Sequence, residues 1–393
     1  MNGAGPGCGG RGRGGEAGVN GARGTGAGAA AGRTAVAMSG GLDSSVAALL
    51  LARRGEPVIG LSMLLWDRSH EAANGRCCGA LDLGDARRVA EQIGIPHYTL
   101  RMDREFREHV VDPFVDDYLG GRTPSPCVRC NTYVKFDLLH ERARLLGAAR
   151  VATGHYARRV AGEDGWELHR AADPGKDQSY FLYELTEEQL AAADFPLGGM
   201  IKAETRALAR EAGLVVAEKG ESMEVCFVAG GVREFVEEEA RGRSLLPLAL
   251  PERATVVDRD GNELGRAEAP YFRYTVGQRR GLGVAAGRRL YVLAVEPAAN
   301  RVVVGGADAL AAPGLTGERL HWITPPADPA TPVEATVRIR SRHPGVPAHI
   351  RPLPDRRCEV EFATPQRGVA PGQAAVFYAD DRVLGGCWIA GPL

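Results

Sequence analysis

Thr34-Ala35-Val36-Ala37-Met38-Ser39-Gly40-Gly41-Leu42-Asp43-Ser44-Ser45 is the stretch that decides the fold class. Its first five residues are a short apolar run with the look of a buried strand. Two glycines follow, and from Ser44 the apolar positions Val46, Ala47, Leu49 and Leu50 take helical spacing up to Gly55, a helix-ending residue. Strand, glycine turn and helix in that order open a βαβ unit. The pattern continues: strands are expected over 57–66, 96–102 and 150–153, and helices over 83–93, 104–119 and 133–146. Alternation of this kind predicts a doubly wound parallel sheet, an α/β domain over residues 34–214.

Beyond about residue 215 the period changes. One acidic helix is expected over 232–240, and then short runs alternate apolar and polar residues, as in Ala254-Thr-Val-Val-Asp, Tyr291-Val-Leu-Ala-Val and Cys358-Glu-Val-Glu-Phe. Asp260-Gly261 and Ala299-Asn300 mark turns between them. The reading is a small central domain over 215–284 and a C-terminal β-barrel over 285–393.

With 44% hydrophobic and 25% charged residues, the 393-residue chain has an ordinary globular composition. Its longest uniformly apolar run, Val46 to Ala52, is far short of the ~18 residues of a membrane span, so no membrane association is expected. A net charge of −1 means that any nucleic-acid binding must rest on a local patch. Of the basic residues 44 are Arg and four are Lys, namely Lys135, Lys176, Lys202 and Lys219. A lysine surviving such a bias hints at a site wanting a compact ammonium. Residues 1–33 hold 14 glycines and almost nothing large and apolar, which predicts a disordered tail with neither an export signal nor a transit peptide. The expected compartment is therefore the cytoplasm, where the eight cysteines are reduced.

Two segments carry chemistry. In Ser39 to Ser45, Gly40 and Gly41 admit close approach of an anion to backbone N–H groups, and the helix start and the Ser44 and Ser45 hydroxyls add to the cradle. The loop lacks the Gly-Lys-Ser/Thr ending of a Walker motif and resembles the PP-loop of ATP pyrophosphatases, which split ATP between the α and β phosphates. The second segment is Cys127-Val-Arg-Cys130, placed in a proline-rich loop before a helix, with Cys226 far downstream in Glu221-Ser-Met-Glu-Val-Cys. Loop position and a helix N-terminus would both lower a thiol pKa. Structural zinc, sulfur chemistry and cluster ligation all remain readings for these three. Cys358 and Cys387 read as buried barrel thiols, and Cys77-Cys78 stays unassigned.

Five motifs in order make the resemblance specific. SGGLDSS, Gly121-Arg-Thr-Pro-Ser-Pro-Cys-Val-Arg-Cys-Asn-Thr-Tyr-Val-Lys-Phe136, Ala152-Thr-Gly-His-Tyr-Ala-Arg158, Lys176-Asp-Gln-Ser-Tyr-Phe-Leu182 and Tyr274-Thr-Val-Gly-Gln-Arg-Arg-Gly-Leu-Gly283 are similar to those of bacterial tRNA-specific 2-thiouridylases. The resemblance implies a sulfurtransferase that uses ATP and Mg²⁺ on the wobble uridine of a tRNA anticodon. Its sulfur would come as a persulfide from a cysteine desulfurase or relay protein. It implies ATP contacts at Ala37, Met38, Ser39, Gly40, Gly41, Leu42, Asp43, Ser44, Met63 and Gly154, with Asp43 serving Mg²⁺ or the loop. Cys130 falls at the nucleophile position and Cys226 at the persulfide carrier, with a transient Cys130–Cys226 disulfide. Ser125, Pro126 and Cys127 fall on the target-base loop, and His155, Lys176, Asp177, Gln178, Arg340, Ser341 and Gln373 on tRNA contacts. Many members carry Asp where this chain has Cys127. That departure weakens an acid/base role there and favours a 4Fe–4S cluster on Cys127, Cys130 and Cys226, which needs three thiolates and leaves one iron open. Arg338, Arg340 and Arg342 are expected to alternate along one strand as a phosphate-facing stripe. The rival readings are another PP-loop enzyme (an amidotransferase-type synthetase or a tRNA lysidine ligase) and a non-enzymatic RNA-binding protein.

Overall fold

Strand β1 (Arg33–Ala37) runs through the middle of the amino-terminal layer, with Ala35 and Val36 fully buried. The computed structural model describes residues 32–65, 80–220, 225–228, 231–245, 253–284, 287, 289–326, 328 and 331–393. Most of the glycine-rich tail and the Cys77-Cys78 pair lie outside these residues. The first region contributes β2 (Val58–Leu64), β3 (His97–Arg101), β4 (Ala148–Ala152), a hairpin of β5 (Ala157–Ala161) and β6 (Trp166–Arg170), and the short β7 (Ala193–Asp194). Five of these form an all-parallel sheet in the order β3-β2-β1-β4-β7. The chain winds outward from β1 to β3 and then crosses back to β4. The carboxyl ends of β1 and β4 thus face the switch point where open parallel sheets bind ligands.

Helices α1 (Leu42–Arg53) and α2 (Ala80–Ile93) lie where the apolar spacing put them. Then α3 (Asp103–Phe106) and α4 (Asp112–Leu119) are joined through a π-helical stretch, Arg107–Val111. The next helical run corrects the sequence reading. It starts at Pro126, as α5 (Pro126–Arg129), continues as a π-helical stretch, Cys130–Leu138, and ends as α6 (Leu139–Leu145). The cysteine pair is therefore inside a helix and not in a loop before one. Proline at the first helical position loses no hydrogen bond, so the Pro-rich signal marks a helix start. π-Helical turns of this kind frequently accompany functional sites. Helices α7 (Glu187–Ala192), α8 (Lys202–Glu211) and α9 (Val232–Gly242) complete the helical set among the described residues. No described helix is long and apolar enough to cross a membrane.

The central sheet has the order β10-β11-β8-β9, from β8 (Thr255–Val257), β9 (Glu263–Arg266), β10 (Tyr291–Glu296) and β11 (Arg301–Gly305). It closes over Val256, Tyr274, Val292, Val302 and Val304. Because β10 and β11 belong to it, this sheet crosses the division expected between residues 284 and 285. The last six strands are β12 (Ala311–Trp322), β13 (Val333–Arg338), β14 (Val346–Leu353), β15 (Arg357–Arg367), β16 (Ala374–Ala379) and β17 (Arg382–Pro392). They pair as β12-β15-β14-β13-β16-β17, and β17 returns to β12, so the barrel closes. Cys358 and Cys387 are buried inside it, and a Cβ at Gly317 would overlap both sulfurs.

The hairpin β5–β6 extends this sheet through pairing of β6 with β17, at Leu168–Val383 and His169–Arg382. A strand pair of the α/β region is thereby built onto the barrel. The expected arginine stripe does not form. Strand β13 ends at Arg338, and Arg340 and Arg342 lie on the bend and turn that follow. The Arg338 guanidinium turns inward, donating to Asp177 Oδ2 (2.9 Å), to the His343 carbonyl (2.9 Å) and to the Ser341 carbonyl. The turn wraps this cation instead of presenting it to solvent.

Candidate active site

The loop after β1 is held from within. Ser45 and Ser44 hydroxyls donate to the Gly41 carbonyl (2.8 and 3.2 Å), and the Ser39 backbone N–H donates to Ser44 Oγ (3.2 Å). Gly41 caps α1 without any side-chain acceptor, which leaves the first-turn N–H groups to an incoming anion. Gly40 sits at φ +72°, and a Cβ there would overlap the Asp82 carbonyl, so no other residue fits. Gly154, at the end of β4, is packed so closely that a Cβ would come within 2.6 Å of Ser44 N.

Two lysines complete the loop, and neither was assigned from the sequence. Lys202 Nζ, on α8, donates to both Asp43 oxygens (2.7 and 2.8 Å), and the Tyr156 hydroxyl donates to Asp43 Oδ1 (3.0 Å). Burial raises the Tyr156 phenol, which keeps it a donor. Lys219 Nζ donates to the Gly40 carbonyl (2.8 Å) and to Asp82 and Asp85 (2.5 and 2.6 Å). Burial works against its charge, but the two carboxylates hold the ammonium above its usual range. The signal for both was the scarcity of lysine; their partners lie too far away in sequence for a motif to reveal. Lys219→Met is expected to raise the KM for ATP about tenfold, a loss of about 1.4 kcal/mol of loop positioning. Initial rates of pyrophosphate release against ATP concentration check this, and an unchanged KM would refute it.

A cavity of about 200 Å³ opens between the ends of β1 and β4. Ala37, Met38, Ser39, Asp43, Ser44, Met63 and Gly154 line it, as do Leu83, Lys135, Thr153, His155 and Gln178. Seven of the ten residues expected at ATP thus border one space, with Gly40, Gly41 and Leu42 in the loop beside it. His155 and Gln178, expected at tRNA, border it too. His155 is buried against Phe136 and Phe195, its Nδ1 2.8 Å from Thr153 Oγ1. Burial, with the Lys135 ammonium nearby, holds its imidazole well below the usual range, so it is neutral at pH 7. Gln178 Oε1 accepts from the Tyr156 N–H (2.9 Å). The Asp177 side chain is only 4% exposed in its ion pair with Arg338. Lys176 sits half-buried in the turn that its N–H closes on the Asp173 carbonyl.

Of the cysteines, Cys127 lies within electrostatic reach of Lys135. Cys127 is solvent-exposed in the first turn of α5. Desolvation and the nearby Cys226 thiol push the Cys127 thiol up, and Lys135 opposes them more weakly. For Cys127 this direction is opposite to the lowering expected from a helix start. Cys130 is buried, and Cys226 is exposed in the turn Val225–Val228. Its neighbour Phe227 is fixed by edge contacts with Phe106, Phe114 and Phe235, with ring centroids 5.1 to 5.5 Å apart. Among the described residues no three His, Cys, Asp or Glu side chains are gathered to hold a metal ion. Asp43 is held by Lys202 and Tyr156 at the mouth of the loop.

The barrel holds the loop in front of α5. Gln373 Nε2 donates to the Thr123 and Pro124 carbonyls (3.1 and 3.0 Å), and Thr123 N–H donates to Pro371 (2.7 Å). Ser125 and Pro126 are buried beneath this clamp. Arg340 is exposed, reaching only the Arg367 carbonyl (3.4 Å), and Ser341 stands beside it.

Residues 32–230 match the family described as tRNA methyl transferase HUP domain, residues 248–306 the tRNA methyl transferase PRC-barrel domain, and residues 313–389 the aminomethyltransferase beta-barrel domain. A protein of Geotalea uraniireducens called tRNA-specific 2-thiouridylase MnmA is 52% identical over 365 residues, covering 91% of this chain and 94% of that relative. This chain belongs to the tRNA-specific 2-thiouridylase family. Relatives of the same name are 52% identical in Geobacter metallireducens (91% of this chain, 96% of the relative) and 49% identical in Solibacter usitatus (90% and 98%). The family match to the HUP domain takes in both the loop after β1 and Cys226.

Proposed function

We propose that this 2-thiouridylase family member replaces O2 of the wobble uridine of tRNA by sulfur, in the cytoplasm, at the expense of ATP. The observation that carries the reading is Lys135, which lines the cavity with Ser39 and Asp43 and is also felt by the Cys127 thiol. One side chain thus borders the cavity beside the cradle and lies within electrostatic reach of Cys127. Uridine O2 attacks the α phosphorus of ATP, the α–β bond breaks, and pyrophosphate leaves from the cradle formed by Ser39 to Ser45. The base now carries AMP, a far better leaving group than oxide. The outer sulfur of a Cys226 persulfide, supplied by a desulfurase or relay protein, attacks C2 and expels AMP. The Cys130 thiolate then attacks Cys226 Sγ, the S–S bond breaks, and its electron pair stays on the new C2 sulfur. The product is 2-thiouridine and a Cys130–Cys226 disulfide, which a cellular dithiol must reduce. Mg²⁺ bound with ATP would neutralise phosphate charge. A base in an anticodon loop can reach such a site only by leaving its stack.

This sequence uses two thiols, one carrier and one attacker, and needs no iron. The domain reading that fits the sheets best is an α/β body from residue 32, a central sheet over about 253–306, and the barrel from 311. The test is pyrophosphate release from ATP with and without unmodified tRNA. Release should depend on tRNA, and Asp43→Ala should lower it by more than about a hundredfold. Release at a near-normal rate in that variant, or without RNA, would sink the reading.

A further inference from the structure

The Tyr274 to Gly283 motif is the one family motif that neither the nucleotide cavity nor the cysteines absorb. Residues 275–295 contain four arginines, Arg279, Arg280, Arg288 and Arg289, and no Asp or Glu, in a chain of net charge −1. Arg279 and Arg289 line one open depression of about 590 Å³ on the central domain, together with Gly281, Leu282, Gly283 and Leu290. Among the described residues Arg279, Arg280 and Arg289 have no carboxylate partner, whereas Arg273 nearby is held by Glu234 and Glu237 (3.4 and 2.6 Å). Glu268 is brought beside Gly281 and Gly283, which leaves three described cations to one carboxylate.

We infer that Arg279, Arg280 and Arg289 form a second grip on the RNA, holding its sugar–phosphate backbone while the target base occupies the cysteine site; this rests on the proposed tRNA substrate. The turn is built for close approach. Gly277, Gly281 and Gly283 adopt φ of +87°, +74° and +72°, and the absence of side chains there leaves bare backbone between the guanidiniums. Leu282 and Leu290 are buried, and the partly exposed Val284 is too small an apolar centre for a protein partner. Planar cations flanking bare backbone suit phosphates, which set position without reading sequence.

The grip is also fixed relative to the chemistry. Gln278 accepts from Arg233 Nη2 (3.1 Å), and Arg233 lies on α9, whose Phe235 packs on Phe227 beside Cys226. On the other side the Tyr271 hydroxyl donates to the Leu119 carbonyl (3.0 Å), and Gly121 packs on Val295 and Pro297. Both cysteine-bearing segments are therefore tied to the domain that carries the arginines.

The test is the affinity of the full-length protein for an unmodified tRNA transcript over a salt series. Arg279→Ala with Arg289→Ala should reduce the slope of log K against log salt by about two, with an unchanged melting temperature. Arg279→Lys with Arg289→Lys should keep most of the slope, since the charge remains. A parent slope retained in the alanine pair overturns the grip. So does a retained slope accompanied by slower sulfur uptake from a persulfide donor protein, which would make the surface a docking site for that protein. A parent that does not bind the transcript overturns the substrate reading underneath, whatever the variants do.

Discussion

Cys226→Ser is expected to cut thiolation to below about one thousandth of the parent rate while tRNA-dependent pyrophosphate release continues. The two half-reactions use separate atoms. In the proposed reaction adenylation uses the loop Ser39 to Ser45 and its lysines, whereas sulfur delivery uses a thiol that can carry a second sulfur. Serine preserves the size of the side chain and the anchoring by Phe227, so loss of rate in this variant reports chemistry. Cys130→Ser should fall as far. Cys127→Ser should retain activity within about tenfold in iron-free protein, because the relay needs one carrier and one attacking thiol and Cys127 is neither. Thiolation and iron content measured on the three variants decide the matter. A ligand set acts as a unit, so equal collapse in all three, together with loss of bound iron, would restore the cluster.

Arg338→Met is expected to destabilise the protein by about 3–5 kcal/mol, read from denaturant unfolding. Both members of its ion pair are nearly inaccessible, at 11% and 4% side-chain exposure, and the pair joins the barrel to the segment after β6. Removing the guanidinium strands the Asp177 carboxylate with only the Ser179 and Ala171 N–H groups (3.1 and 3.4 Å) and frees the turn carbonyls of Ser341 and His343. Arg340→Ala, on the exposed bend, should change stability by no more than about 0.5 kcal/mol. If Arg338→Met matched Arg340→Ala in stability, the inward role would be wrong and the sequence-based stripe would deserve a second hearing.

Why one arginine of that row turned inward while the alternation pointed outward shows where local reasoning stops. Period-2 spacing tells which residues share a face only while the strand lasts, and β13 ends at Arg338. The same limit hid the helix start at Pro126, since proline and serine mark loops and helix beginnings alike. Lys202 and Lys219 lie 159 and 179 residues from the loop atoms they hold. Composition could single them out as unusual, but nothing in their neighbourhood names a partner.

The sequence by itself determined the parallel sheet, the glycine loop at its centre, the later change to β structure, and the motifs that carry the family resemblance. Each of these rests on information within a few residues: apolar period, glycine conformation, and side-chain chemistry at short spacing. Only the tertiary structure decided that β12 meets β17 to close the barrel and that β6 joins it. It also decided that Asp177 faces Arg338 and that Lys135, from the helix of the cysteine pair, borders the cavity beside the glycine loop. Those outcomes depend on which distant surfaces bury together and which buried charges find partners, and chain-local patterns record neither.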